Sequence, residues 1–417
     1  MRKILKLLGF ALLAVVGAAA LFAAYVAVSG IPKYAPGRIE RKVEITPERV
    51  ERGRKYANIL CLSCHQDPTT GKLTGKRIVD APKEFGVIYS KNITKDPVKG
   101  IGAWTDGELI YFLRTGIDRT GQYVPPWMPK FPLLSDDDLE GIVAFLRSDD
   151  PLLAPDPSDP PGVTRPSFLS KFLSHTVFKP LPFPSRPIAA PPVSDLVAYG
   201  RYLSSSLGCF GCHSADFKTM KELEPEKSAG FMGGGNPLLD QTGQTVRSAN
   251  ITFDDQTGIG KWSAADFDRA VRTGVRPDRR VLNYPMVPIP ELTPDDTAAL
   301  YAYLATVPKL SHAVQPPERH VLEASASEGK KAYYHYGCPS CHGDYGVGIG
   351  DLRKAVQHYP TDAQLVAWIK NPSSFKPGTR MPTWNGVIAE SDYPALIAYV
   401  KELGAAAAAN PATPATP

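Results

Sequence analysis

Three stretches of this chain have the form Cys-x-x-Cys-His: Cys61, Cys64, His65; Cys209, Cys212, His213; and Cys338, Cys341, His342. They use all six cysteines of the 417 residues. Two thiols at this spacing reach the two vinyl groups of one porphyrin, and the adjoining imidazole can ligate the iron, so the motif is that of covalent haem attachment. Zinc sites and redox dithiols also use Cys-x-x-Cys. A tetrahedral zinc wants four ligands, usually from paired motifs, and a Cys, Cys and His in consecutive reach crowd one side of it. A redox dithiol has no need of the histidine. A disulfide across a two-residue gap would close a very tight loop. Three covalently bound haem c groups are expected, with His65, His213 and His342 as proximal iron ligands.

Arg2, Lys3 and Lys6 precede 26 uncharged residues, Leu7 to Pro32, rich in Leu, Ala, Val and Phe. A helix crosses a bilayer with about 20 apolar residues; a cleaved signal peptide has a shorter apolar core of about 7–15. The expectation is an uncleaved transmembrane anchor over residues 1–32, although Ala18, Ala19 and Ala20 would offer a cleavage site. Basic residues ahead of the helix keep the N-terminus in the cytoplasm and send the rest outside. That predicts a single-pass protein of the bacterial cytoplasmic (inner) membrane with its body in the periplasm, where haem c is attached. The formal charge is only +5. Two propionates on each haem would roughly cancel it, so the basic pI carries no argument for nucleic acid.

An internal repeat sets the domain plan. Residues 92–105 read NITKDPVKGIGAWT and residues 250–263 read NITFDDQTGIGKWS, an offset of 158 with eight of fourteen positions identical. The same offset carries Arg114-Thr115-Gly116 onto Arg272-Thr273-Gly274 and Met128 onto Met286. Two copies of one domain are expected, at 44–150 and 194–310, with a loop about ten residues longer after the second haem motif. A third, more compact domain at 325–405 lacks the Asn-Ile-Thr segment and has KNPSSFKPGTRMP at 370–382 instead. Residues 151–193 hold twelve prolines and predict a stiff linker, interrupted by a short helix from Pro166 that docks on a haem domain or on the membrane. A shorter linker is expected at 311–324 and a disordered tail at 406–417.

Helix starts carry capping signals at Thr46-Pro47, Thr105 with Glu108, Ser263 with Asp266 and Thr361 with Gln364. Each haem motif follows a helix with a glycine and an aromatic, from Gly53, Gly200 and Gly329. Each domain should end in a helix carrying Phe145, Tyr303 or Tyr399, expected to pack across that glycine helix; an ordinary core aromatic would be equally buried.

Met128, Met286 and Met381 follow proline-rich or Gly-Thr-Arg stretches and lie 17, 17 and 18 residues before those aromatics. They are the expected sixth ligands, since a thioether opposite histidine raises the haem potential and closes the iron to substrate. A methionine that merely fills the core is the bland alternative. Met220, Met232, His175, His312, His320, His335 and His358 are the competitors. Trp104, Trp262, Arg114 and Arg272 recur at the repeat offset and are candidates to hold haem propionates; a packed tryptophan and a solvated arginine are the alternatives. The two Asn-x-Thr sequons belong to the repeat and are not read as glycosylation signals.

The combination of NIT-x-D, GIG-x-W-[ST], R-T-G and a proline-flanked methionine resembles the class I cytochrome c domains in the three-haem cytochrome subunit of bacterial membrane-bound dehydrogenases. Those include quinoprotein alcohol dehydrogenases and flavin-dependent gluconate and related sugar dehydrogenases. The resemblance spans about residues 44–405. It implies an all-α fold with three class I cytochrome c domains in tandem behind one N-terminal transmembrane helix. It also implies a subunit that takes electrons from a separate catalytic subunit and passes them to ubiquinone. Family members typically have a cleaved signal peptide and attach to the membrane elsewhere, and here the chain departs from them.

The expected function is single-electron transfer between six-coordinate haems, with no substrate chemistry of its own. Expected partners are membrane lipid, a dehydrogenase subunit and quinone. The alternative is a cytochrome c relay from a quinol-oxidising complex to a terminal oxidase or reaction centre. A haem peroxidase is a third reading and would need an open sixth position.

Overall fold

A computed structural model describes residues 2–315, 322–348, 350–376 and 379–409. The expected tail therefore lies outside the described residues from position 410. Residues 316–321 of the shorter linker, with His320, also lie outside them.

The 28-residue helix α1 (Arg2–Ser29) is apolar and exposed on nearly all sides, long enough to cross a membrane. Helix α2 (Pro47–Leu60) runs directly into the one-turn α3 (Leu62–His65), followed by α4 (Asp106–Thr115) and α5 (Asp136–Arg147). After α6 (Phe168–Thr176) the same pattern recurs as α7 (Leu196–Ser206), α8 (Cys209–His213), α9 (Ala264–Thr273) and α10 (Pro294–Leu304). A third group comprises α11 (Glu328–His335), α12 (Pro339–His342), α13 (Ala355–His358), α14 (Asp362–Lys370), α15 (Pro372–Phe375) and α16 (Tyr393–Ala409). The strands are short: β1 (Gly86–Val87) pairs antiparallel with β2 (Arg165–Pro166), and β3 (Pro237–Leu239) with β4 (Thr245–Arg247). α16 continues four residues into the segment expected to be a disordered tail.

The expected capping residues start their helices. Thr105 with Glu108, Ser263 with Asp266 and Thr361 with Gln364 form reciprocal capping boxes, and Thr46 accepts from Arg49 N–H ahead of Pro47. Each box satisfies N–H groups that the first helical turn cannot pair internally.

In each group the first helix crosses the last one at its glycine. A Cβ on Gly53 would run into the Gly141 carbonyl; one on Gly200 or Gly329 would meet the carbonyl of Ala299 or Ala395 and the Cβ of Tyr303 or Tyr399. Only a hydrogen side chain allows that approach. Phe145, Tyr303 and Tyr399 are buried beside these crossings, each worth about 1.5–3 kcal/mol of transfer free energy.

Groups one and two share one hydrophobic cluster, and group three has its own. Between the first two, equivalent carboxylates bind across the seam. Asp138 accepts from Tyr56 Oη at 3.0 Å and from Tyr202 Oη, and Asp296 accepts from Tyr199 Oη at 3.1 Å and Lys55 Nζ at 2.6 Å.

The proline-rich segment 151–193 does not stand off as a spacer. It folds back along group one: β2 pairs with β1, Tyr123 Oη donates to Lys179 O (3.1 Å), Phe183 stacks on Tyr111, and Ile188 exchanges hydrogen bonds with Asp136. Proline limits N–H donors but leaves every carbonyl free to accept, which suits a strap bound through its oxygens.

Candidate functional site

Each Cys-x-x-Cys-His motif lies at the turn that follows the first helix of its group, so the close helix crossing fixes the motif's position. The three histidines are held alike. Nδ1 of His65 is 2.7 Å from Lys91 O, that of His213 is 2.8 Å from Ala249 O, and that of His342 is 3.2 Å from Gly350 O. A carbonyl can only accept, so Nδ1 carries the proton and Nε2 keeps its lone pair. Burial lowers the pKa of all three below the usual histidine value, only partly offset by the backbone hydrogen bond. Neutral, oriented imidazoles with a free Nε2 are what haem iron requires.

Lys91 and Ala249 directly precede the Asn of the repeated Asn-Ile-Thr. Asn92 Oδ1 accepts from Thr94 N–H and Oγ1, and its amide donates to the Asp156 and Ser158 carbonyls. Asn250 makes the same turn with Thr252 and donates to Leu310 O at 2.7 Å. The repeat therefore pins the turn whose first carbonyl orients the histidine. Both asparagines are 3% exposed, so neither sequon is open to glycosylation.

Cys61 is buried and the other five cysteines are half-buried. Burial pushes Cys61, Cys209 and Cys338 up to about 12, and Cys212 and Cys341 up to about 11. A redox dithiol needs a lowered thiol pKa, and these shift the other way. Among the described residues no three Cys, His, Asp or Glu side chains converge as a metal cluster, which disfavours zinc. The paired cysteines and oriented histidines fit a covalently held porphyrin.

The three methionines share one backbone device. The residue three positions after each donates its N–H to a carbonyl in the last turn of α4, α9 or α14: Phe131 to Leu113, Ile289 to Val271, and Trp384 to Lys370, at 2.8, 2.8 and 3.1 Å. Met128 packs against the shared core and Met381 against that of group three. The competitors are placed differently. Met232 is fully buried, and its carbonyl accepts from Ile251 N–H just as Leu73 O accepts from Ile93 N–H. It is thus the counterpart of a core leucine. Met220 Sδ lies 3.3 Å from where a Cβ on Gly211 would stand, against the attachment turn itself. His175 binds the end of α1, and His312 Nδ1 contacts Gly233 O. His335 lies edge-on to Tyr336, and His358 lies tilted beside Tyr359.

The repeated arginines diverge. Arg114 is fully buried, its guanidinium bound by Phe131 O, Leu134 O and Asp136, so it braces the loop after Met128. Arg272 contacts Asp268 at 3.5 Å and leaves a buried Nε without a partner. Trp104 lies edge-on to Phe112 and lines an open surface cleft with Arg41 and Arg147; Trp262 O accepts from Tyr301 Oη.

The three motifs meet at one junction, which the sequence did not signal. Tyr284, next to the Met286 loop, donates to Asp80 Oδ2 at 2.5 Å. After burial itself, the Asp80 carboxylate helps to raise the Cys64 and Cys212 thiols, and a backbone hydrogen bond from Tyr284 partly offsets the effect of burial on Cys341. Arg380, beside Met381, reaches across to Asn58 O on α2 and faces Glu291. Gln241 N–H donates to Ser340 O at 3.2 Å, joining groups two and three at the third motif.

Comparison with known proteins follows the same lines. Residues 48–146 and 324–400 match the family described as cytochrome c oxidase, cbb3-type, subunit III. The cytochrome c subunit of alcohol dehydrogenase (quinone) from Gluconacetobacter polyoxogenes is 27% identical over 369 residues, 83% of this chain and 75% of that protein. The fructose dehydrogenase cytochrome subunit of Gluconobacter japonicus is 29% identical over 325 residues, 70% and 63% of the two chains. The gluconate 2-dehydrogenase cytochrome c subunit of Pantoea cypripedii is 26% identical over 321 residues, 73% and 70%. The chain is thus similar over most of its length to cytochrome c subunits of dehydrogenases, and that likeness supports electron transfer through covalently bound haem c.

Proposed function

We propose that the chain is a membrane-anchored, three-haem relay that accepts single electrons from a separate dehydrogenase subunit on the periplasmic side and delivers them to quinone. The observation that carries this reading is the threefold repetition of one arrangement: a histidine aimed by a backbone carbonyl, paired with a methionine loop tied to a helix end. In this scheme Cys61 and Cys64, Cys209 and Cys212, and Cys338 and Cys341 carry one haem each. His65 with Met128, His213 with Met286 and His342 with Met381 would ligate the irons. Bound haem supplies the one-electron couple; the chain supplies ligands, burial and charge that set its potential.

The domains are taken as 44–150, 194–310 and 325–405, with α1 as anchor. The close approach of the motifs around Asp80 and Tyr284 supports a compact cluster over a linear wire. Arg272 is the stronger propionate candidate, since its buried Nε wants an acceptor, whereas Arg114 already has three.

Haem stoichiometry by the pyridine haemochrome assay on the purified chain should give three haems. Purification in mild detergent should bring down a large quinoprotein or flavoprotein, and the pair should reduce a soluble quinone analogue when given the dehydrogenase substrate. Copurification with an oxidase would instead favour the relay reading.

A further inference from the structure

Helix α6 is built inside out. Its small polar residues face the protein: Ser170 and Ser174 are fully buried, Ser170 Oγ donating to Phe85 O at 2.8 Å and Ser174 Oγ to Ser170 O at 2.7 Å. Its large apolar residues face outward. Phe168 is 50% exposed and Leu169 41%, followed by Val177 at 64%. An outward apolar face of this kind is costly in water and marks a contact surface.

Its neighbour says what covers it. α6 packs on the end of α1: Phe172 lies edge-on to Phe22 at 6.1 Å, and His175 edge-on to Tyr25 at 5.3 Å. Lys171 Nζ donates to Ala27 O at 3.2 Å, and His175 Nε2 contacts Ser29 Oγ and Gly30 O at 3.1 and 3.0 Å. The carbonyls at the end of α1 lack helical partners, and these side chains supply polar neighbours there. The apolar face thus continues the exposed surface of α1 at the level where a spanning helix leaves the hydrocarbon.

We infer that α6 is a second membrane element, lying in the headgroup–acyl boundary of the outer leaflet with Phe168 and Leu169 in the lipid. Interfacial helices of this type bury their apolar face about 5–10 Å deep, and aromatic residues gather at that level. Through Ser170 and Phe85 it fastens the first haem group to the membrane surface. The inference rests on reading α1 as a spanning anchor.

Spin labels test both separately. The native cysteines are consumed by haem, so Leu169→Cys, Leu13→Cys in α1 and Val98→Cys on a water-facing loop each carry one label on the full, haem-loaded chain in phosphatidylethanolamine–phosphatidylglycerol vesicles. The labels at 13 and 169 should both favour oxygen over an aqueous nickel chelate, several-fold relative to the label at 98. Protection at 13 with water exposure at 169 would overturn the inference and leave the anchor standing. Water exposure at both would overturn the anchor as well. A label at 169 that becomes shielded only after a protein partner is added would assign the face to that partner and also overturn the inference.

Discussion

Replacing Gly200 by alanine sets two effects of known sign against each other. In an isolated helix the change favours α7 by about 1 kcal/mol, because glycine loses more backbone freedom than alanine. In this fold the new Cβ would stand 1.9 Å from the Ala299 carbonyl oxygen and 2.9 Å from the Tyr303 Cβ. A carbon and a carbonyl oxygen are comfortable at roughly 3.3–3.6 Å, so α7 and α10 must part by about 1.5 Å. The obstacle is backbone and cannot rotate away. Overpacking of a core costs about 1–3 kcal/mol, and a displacement along the whole crossing lies at the upper end. The net expectation is a loss of about 2 kcal/mol. Denaturant unfolding of the haem-loaded chain in detergent, followed by Soret circular dichroism, reads it directly. The dichroism of the second haem should fail first, since the motif at Cys209 follows α7 within one turn. A variant as stable as the parent, or more stable, would refute the close crossing and with it the account of why each haem motif follows a glycine helix.

Four further outcomes are expected. Met286→Ala should abolish the red charge-transfer band of one methionine-ligated ferric haem, while Met220→Ala and Met232→Leu leave the spectrum intact; Met232→Leu should cost under about 1.5 kcal/mol, as Leu73 fills the equivalent place. Asp80→Asn should raise at least two haem potentials by an amount on the order of tens of mV, as expected for one carboxylate about 10 Å away at an effective dielectric near 20, measured by spectroelectrochemical titration. Asn92→Ala should loosen the turn that presents Lys91 O and shift the imidazole resonances of the first haem, with a smaller effect on the other two. For Asp296, burial favours the neutral acid, yet Lys55 and the Thr293 N–H outweigh it and hold the carboxyl below the usual range. A depressed folded-state pKa stabilises above the unfolded value of about 4 and is lost as pH falls through the folded one. Unfolding midpoints should therefore drop on acidification below about pH 4, less steeply in Asp296→Asn.

Local signals carried well from sequence to structure. Capping boxes at Thr105, Ser263 and Thr361 were readable because a cap is decided within four residues. The glycine–aromatic pairing was readable because the chain displays it before each of its three motifs. What escaped were contacts between distant segments. The carbonyls of Lys91 and Ala249 orient histidines, but a backbone oxygen has no sequence signature; only the asparagine that fixes the turn leaves one. Arg114 and Arg272 look equivalent at the repeat offset, yet one is fully engaged by carbonyls and the other is not. Proline content suggested a free spacer for 151–193, because composition reports stiffness and not whether carbonyls find donors. The meeting of three motifs at Asp80 and Tyr284 depends on how the groups dock, which no periodicity encodes.

That junction also has a bearing on biogenesis. Cys61 is 8% exposed, and the carbonyl of Asn58, three residues before it, is held by Arg380 from the third group. Once the groups have closed on one another, a porphyrin vinyl and the machinery that delivers it have no route to that thiol. Attachment must therefore run ahead of docking, while each motif is still reachable. A chain whose groups closed before the first haem was attached would shut Cys61 away from any later attachment.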